Sequence, residues 1–562
     1  MSTWKGFMQA AIAAALIVSG GVSAEPLQSS PLPPEGARWT VFISDLHMGM
    51  GRQRQDAATG HWTQGPWHAT EDFRWASEFT LFLAHLQEAA RQSTVSIDLV
   101  ILGDLLELWQ SASDDCRYPG ESGADGKDLG CTAVDALARA QRVLGAHREE
   151  LAALRALADD GDNRLTIVPG NHDAALVFDS VAAALLKAID AGFGRVRVAR
   201  EGYWRSRDGQ ILAEHGHAFE GEVNRYDLLP ASCLDGQARV SDCAARERNV
   251  YLRRPWGEQF VQSYYNQFEE RYPIIDNISE EGEGVKLGVA AAGIGDVAVA
   301  VKDFFRFFLF GQSIDQLKVA LGPQEAASRL PRYDIDAIRK QGDRFLVESI
   351  PPNDPLRPLA EAALARDALG LKSTALNEQE IADICHLRQA RFAVAQKQGG
   401  AVTTPLCPVL SEDATLGAAA TALFVSRDAR FRNRLNEVRG GLANDGRPTR
   451  EFAVYIYGHT HKAHGPQRFF EPGAEWNPQV FNSGAWQRVA TPDQLKAIQQ
   501  QQCIPDAEAL LRLQPEDLPP CYTYVSIPPY DAGKGGRPSA ELLYWTQDKA
   551  AGTWRSGLEC AP

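Results

Sequence analysis

Apolar positions along this chain fall into two kinds of run. Between residues 39 and 217, short apolar stretches of strand length are followed by segments with helical spacing. Trp39–Ile43 is a strand candidate, and Glu71–Arg91 carries Trp75, Phe79, Phe82, Leu83 and Leu86 along one helical face. Ile97–Leu102 predicts a buried strand, Thr132–Ala158 a long Ala/Leu-rich helix, and Leu165–Val168 a further strand. A helix over Ala174–Ala191 leads to strands near Arg195–Ala199 and Gln210–Glu214. Strands alternating with helices predict βαβ units, a sheet covered on both faces and an α/β fold.

Beyond residue 217 the alternation stops. Residues 218–451 read as helical patterns and Pro-bounded loops. Phe452–Tyr457 restores a strand, and Val480–Gly484, Tyr522–Ile527 and Leu542–Trp545 follow it. The simplest organisation is one α/β domain, 40–217 and 452–550, split by a mainly helical insertion or lid at 218–451. An independent second domain in the middle is the alternative. Residues 25–39, rich in Pro and Ser, read as a linker. No internal repeat is present.

Chemistry-bearing residues collect where the predicted strands stop. The motifs are Asp45-Leu46-His47, Gly103-Asp104-Leu105-Leu106-Glu107, Gly170-Asn171-His172-Asp173, His215-Gly216-His217 and Gly458-His459-Thr460-His461. Open α/β sheets gather ligands at the carboxyl ends of their strands, so these motifs are expected to converge. Carboxylate, amide oxygen and imidazole are the donors that a borderline divalent ion recruits. Side chains two apart at a strand end point the same way, and the flanking glycines are expected to let the backbone turn tightly beneath the site. Taken singly, each motif is an ordinary surface turn or loop start. Together they hold half of the chain's 12 histidines, which points to a metal centre.

Composition narrows the classes of function. With 562 residues, 44% of them hydrophobic, the chain can bury a large core. A net charge of -15 argues against a nucleic-acid-binding surface. Anionic substrates stay open, because bound cations reverse the local field. Lys5, the apolar run Ala10–Val18 and the small residues Val22-Ser23-Ala24 read as a signal peptide over 1–24, so export to a periplasm or the exterior is expected. The run is short for a membrane span; an uncleaved anchor or a buried helix is the alternative. In an exported chain, Cys116, Cys131, Cys233, Cys243, Cys385, Cys407, Cys503, Cys521 and Cys560 favour disulfides. Nearest-neighbour pairing leaves Cys560 over, and the sequence does not fix the connectivity.

The five motifs resemble those of the calcineurin-like metallophosphoesterases, over residues 40–217 and 452–490. The resemblance implies a four-layer β-sandwich flanked by helices and a dinuclear centre. It assigns Asp45, His47 and His461 to one metal and Asn171, His215 and His459 to the other, with Asp104 bridging. Mn, Fe, Co or Zn suit such a mixed N/O site better than Mg or Ca. The implied reaction is in-line attack on a phosphoester by a metal-bridging hydroxide. His172 is implied as general acid or hydrogen-bond donor, with Glu107 orienting it. For His217 a supporting and a substrate-facing role both stand. Asp173 is expected to cap the following helix. His464, Asn482 and Trp486 either line the rim or pack in the core.

Gly-Asp-Leu-Leu-Glu-Leu-Trp, His-Gly-His-Ala-Phe-Glu and Phe-Asn-Ser-Gly-Ala-Trp are similar to the UDP-2,3-diacylglucosamine pyrophosphatase branch, which also inserts a helical lid between its last two His motifs. That branch has Arg where this chain has His172. A lipid-linked or nucleotide-type phosphoester is the implied substrate. Residues 285–310 are apolar and end in a cluster of Phe, which reads either as the lid's own core or as contact with lipid or a membrane surface. A catalytically silent metal-binding envelope protein is the competing function. Monoesterase or diesterase activity and oligomeric state are not legible.

Overall fold

The structure, a computed structural model, describes residues 38–55, 62–110, 133–220, 451–504, 508–548 and 552–560, with short stretches and single positions between 224 and 441. All of them belong to the second of the two units into which the chain divides, Ala37–Pro562. The expected signal peptide 1–24 and the apolar segment 285–310 lie outside the described residues.

In chain order the strands are β1 (Arg38–Ile43), β2 (Gln53–Gln55), β3 (Trp62–Gln64), β4 (Ser96–Leu102), β5 (Arg164–Val168), β6 (Val196–Val198) and β7 (Tyr203–Arg205). They continue with β8 (Ile211–Glu214), β9 (Val454–Tyr457), β10 (His464–Gln467), β11 (Gln479–Asn482), β12 (Cys521–Ile527), β13 (Glu541–Asp548) and β14 (Thr553–Gly557). The principal helices are α1 (Ala76–Gln92), α2 (Ala133–Ala146), α3 (Arg148–Ala158), α4 (Asp179–Ile189), α5 (Arg427–Gly441) and α6 (Pro492–Gln502).

The fold is mixed α/β, with two mixed sheets and helices. One sheet runs β14-β13-β12-β1-β4-β5-β6, and the other β10-β11-β9-β8-β7. β1, β4, β5 and β6 are parallel, as βαβ patterning predicts. β12 closes on β1 antiparallel, and in the second sheet β8, β9 and β11 are parallel neighbours. Strand β14 carries the first sheet past residue 550.

Three apolar clusters follow from this order. Helices α1 to α4 bury Phe79, Phe82, Ala140, Leu154 and Leu185 with Val41, Leu99 and Ile167 of the first sheet. Phe42, Val100 and Val168 of the first sheet pack with Ala213, Ile456 and Phe481 of the second. Tyr455, Tyr457 and Val480 of the second sheet pack with Phe431 and Leu435 of α5. Each large apolar side chain removed from water contributes about 1.5–3 kcal/mol.

Three predicted helices are shorter than their patterns; that expected at 174–191 is a 3-10 turn, Ala174–Val177, followed by α4. The expected helix at 71–91 begins only at Ala76, because Glu71 is turned inward and accepts hydrogen bonds from the backbone of Gly49 and Phe73. The expected helix at 132–158 is broken at His147, whose ring sits between Glu71 Oε1 at 3.4 Å and Glu150 Oε1 at 3.0 Å. Cysteine pairing also departs from the nearest-neighbour scheme. Cys385–Cys407 forms as expected, but Cys521 bonds Cys560 and leaves Cys503 free among the described residues, which do not include Cys116, Cys131, Cys233 and Cys243. The strand pairing of β12, β13 and β14 brings the chain end back to Cys521. Disulfides accord with an oxidising compartment. No described helix is long and apolar enough to cross a membrane.

Candidate metal centre

Each motif sits just past the end of a strand: Asp45 after β1, Asp104 after β4, Asn171 after β5, His215 after β8 and His459 after β9. The turns are made by the site residues themselves. Asp45, His47, Asp104, His459 and His461 are five of the eight non-glycine residues with positive φ among those described. Side chains disfavour that region, and residues held in it concentrate at functional sites. The expectation that glycines make the turns therefore holds only in part. Gly103 does so, with φ +83°, whereas Gly170 and Gly458 supply space. A Cβ at Gly170 would collide with Asp104, and one at Gly458 with Ser44 and Asp45.

The turns bring the predicted residues together. Asp45, His47 and His461 form one group of possible metal ligands, and Asp104, His215 and His459 another. His461 Nε2 lies 3.6 Å from Asp45 Oδ1 and 3.1 Å from His47 Nε2. Asp104 Oδ2 is 2.9 Å from His215 Nε2 and 3.8 Å from His47 Nε2, so this carboxylate faces both groups. Asn171 Oδ1, 2.8 Å from His215 Nε2, joins the second. Asp45, Asp104, Asn171 and His215 are all at most 1% exposed.

Supporting contacts choose which nitrogen faces inward. His215 Nδ1 donates to the Leu102 carbonyl at 2.7 Å, leaving Nε2 for the site. His47 Nδ1 is held by Glu107 Oε2 at 2.8 Å, with the same result. Ligand histidines are commonly braced in this way. Buried imidazoles presenting Nε2 to one another and to the Asp45 and Asp104 carboxylates make a donor set that fits a divalent cation. The grouping of His47 with Glu107 and Asp72 is such a brace, because Nδ1 is already committed.

Charge follows the same geometry. Burial opposes a proton on His215, but the Asp104 carboxylate, its hydrogen bond and Asp45 raise the imidazole to about 9. His47 is raised well above its usual value against burial, by its hydrogen bond to Glu107 and by Asp104. Burial and then the charge of His47 push His461 well below. For Glu107, burial is outweighed by the charge and hydrogen bond of His172 and by His47, and the carboxyl is held at about 2.

The two predicted catalytic residues meet. Glu107 Oε2 is hydrogen-bonded to His172 Nδ1, and Glu107 Oε1 accepts from Trp109 N at 2.7 Å. His172 N donates to Asp104 Oδ1 at 2.8 Å. His217 is buried close by, its ring centroid 5.5 Å from that of His215 and its Nδ1 without a hydrogen-bond partner.

Other expected roles change. Asp173 caps nothing. Its carboxylate turns back to accept from the amides of Gly170 (2.6 Å), Leu105 (2.9 Å), Asp104 (3.3 Å) and Leu106 (3.3 Å), which pins the Asp104 turn. Asn482 braces the last motif, donating to Gly458 O at 3.0 Å and Thr460 Oγ1 at 2.9 Å. Trp486 is core, stacked on Tyr522 at 4.2 Å. His464 bonds the Tyr457 hydroxyl at 2.7 Å. Sequence reasoning missed Arg434, which grips Glu214, the neighbour of His215, through Nε at 2.8 Å and Nη2 at 2.5 Å. It also missed Trp109, stacked on His172, although that residue closes the Gly-Asp-Leu-Leu-Glu-Leu-Trp motif.

In comparisons with known proteins, no family model and no curated protein matches this chain.

Proposed function

We propose that the chain is an exported phosphoester hydrolase with a two-metal centre, of the calcineurin-like metallophosphoesterase type. One observation carries the proposal: Asp104 faces His47 on one side and His215 on the other, from a loop on which both ligand groups converge. Clusters on both faces of the two sheets are what a four-layer sandwich flanked by helices would give. Asp45, His47 and His461 would hold one cation, Asn171, His215 and His459 the other, and Asp104 both. A pair of divalent cations would polarise a phosphoryl oxygen and make water nucleophilic near neutral pH.

This chain's own residues supply the rest. The leaving oxygen gains charge as its bond to phosphorus breaks, and His172 protonates it from Nε2, since Nδ1 is engaged by Glu107. The ionised Glu107 keeps that imidazole aimed. Burial of the ligand set excludes bulk water and strengthens every charge interaction. The export assignment accords with the two disulfides among the described residues.

The test is Mn-dependent turnover of p-nitrophenyl phosphate and of its bis ester by chelator-stripped, reloaded protein. Turnover of either supports the proposal and tells monoesterase from diesterase. With Mn bound, no turnover of either would make the chain a silent metal-binding protein.

A further inference from the structure

We infer that Trp109 is a positioning residue for the acid His172, holding its ring in the plane from which the proton is delivered; the inference rests on the hydrolase proposed above. The indole and imidazole are stacked, with centroids 3.8 Å apart and planes 25° from parallel. His47 meets the His172 ring edge-on, at 4.5 Å and 80°. Glu107 fixes Nδ1, but one hydrogen bond leaves the ring free to rock about it. The indole face removes that freedom.

Trp109 also acts on the brace. Its backbone N–H donates to Glu107 Oε1 at 2.7 Å, so one residue orients both the carboxylate and the ring that the carboxylate holds. Its carbonyl accepts from Asn266 Nδ2 at 3.2 Å, which ties this corner to the 218–451 segment. A small cleft is lined by Trp109 and His172 together with Leu252 and Ala175.

Leaving-group dependence separates this role from simple core packing. A 2,4-dinitrophenolate leaves without a proton, whereas an alkoxide needs one. The experiment compares kcat for an n-butyl and a 2,4-dinitrophenyl ester, mono- or diester as the wild type prefers, in wild type, Trp109→Met and Trp109→Phe. Methionine keeps volume without a ring; phenylalanine keeps a ring. Circular dichroism and Mn content matching wild type establish that each variant is folded. Trp109→Met is expected to lose at least about tenfold more on the butyl ester than on the dinitrophenyl ester, within the range a general acid contributes. Trp109→Phe is expected to recover most of that difference. Equal losses on both esters, or no loss on either, would overturn the positioning role and leave Trp109 as core. A wild type that binds Mn but turns over neither ester would overturn the hydrolase proposal, and this inference with it.

Discussion

His215 is set by what stands behind it. Leu102 O holds Nδ1, so Nε2 faces Asp104, and in the absence of a cation the pair keeps a proton to about pH 9. The folded value lies above the unfolded one, near 6.5, so this proton stabilises the metal-free fold fully below about pH 6.5 and ceases to as pH rises through about 9. A cation must displace it. Mn affinity of the stripped protein is therefore expected to climb from about pH 6.5 to about 9 and then level off, with proton release at pH 7 measurable by calorimetry in buffers of different ionisation enthalpy. Affinity independent of pH over that window would contradict the assignment. The convergence of these candidate ligands was legible because an Asp, Asn or His at a strand end has few reasons to recur. Asp173 was misread because three of its four amide partners come from the loop after β4, distant in sequence, which no local pattern displays.

Among elements, strands read more faithfully than helices. β1, β4 and β5 are apolar runs with one structural meaning, since both faces are covered. The helix expected at 132–158 has continuous periodicity, yet the buried pairing of His147 with Glu71 and Glu150 interrupts it. Helix α5 was unreadable as a partner of the site, because only the fold brings Arg434 to Glu214 at the end of β8. Glu214 is 7% exposed at its side chain and also accepts from the Tyr455 hydroxyl. Arg434→Met should cost about 3–5 kcal/mol in urea unfolding, because it strands a buried carboxylate. Arg434→Met with Glu214→Leu should recover much of that loss. A single variant as stable as wild type would show that α5 is not anchored by this pair.

For the whole molecule, the distance in sequence between Asp45 and His461 is spanned by one arrangement of two sheets. The ends of β1 and β11 meet where Ser44 Oγ and Ser483 Oγ lie 2.6 Å apart, and β12 and β14 bring Cys560 back to Cys521. The strand that resumes near residue 452 was legible; the cysteine pairing was not, because β14 was not foreseen. The central claim is that these distant segments enclose two cations around Asp104. Anomalous diffraction at the Mn edge, from crystals of Mn-loaded protein, tests it most directly. Two peaks are expected, one among Asp45, His47 and His461 and one among Asn171, His215 and His459, with Asp104 within ligand distance of both. A lone peak, or peaks away from Asp104, would contradict the account.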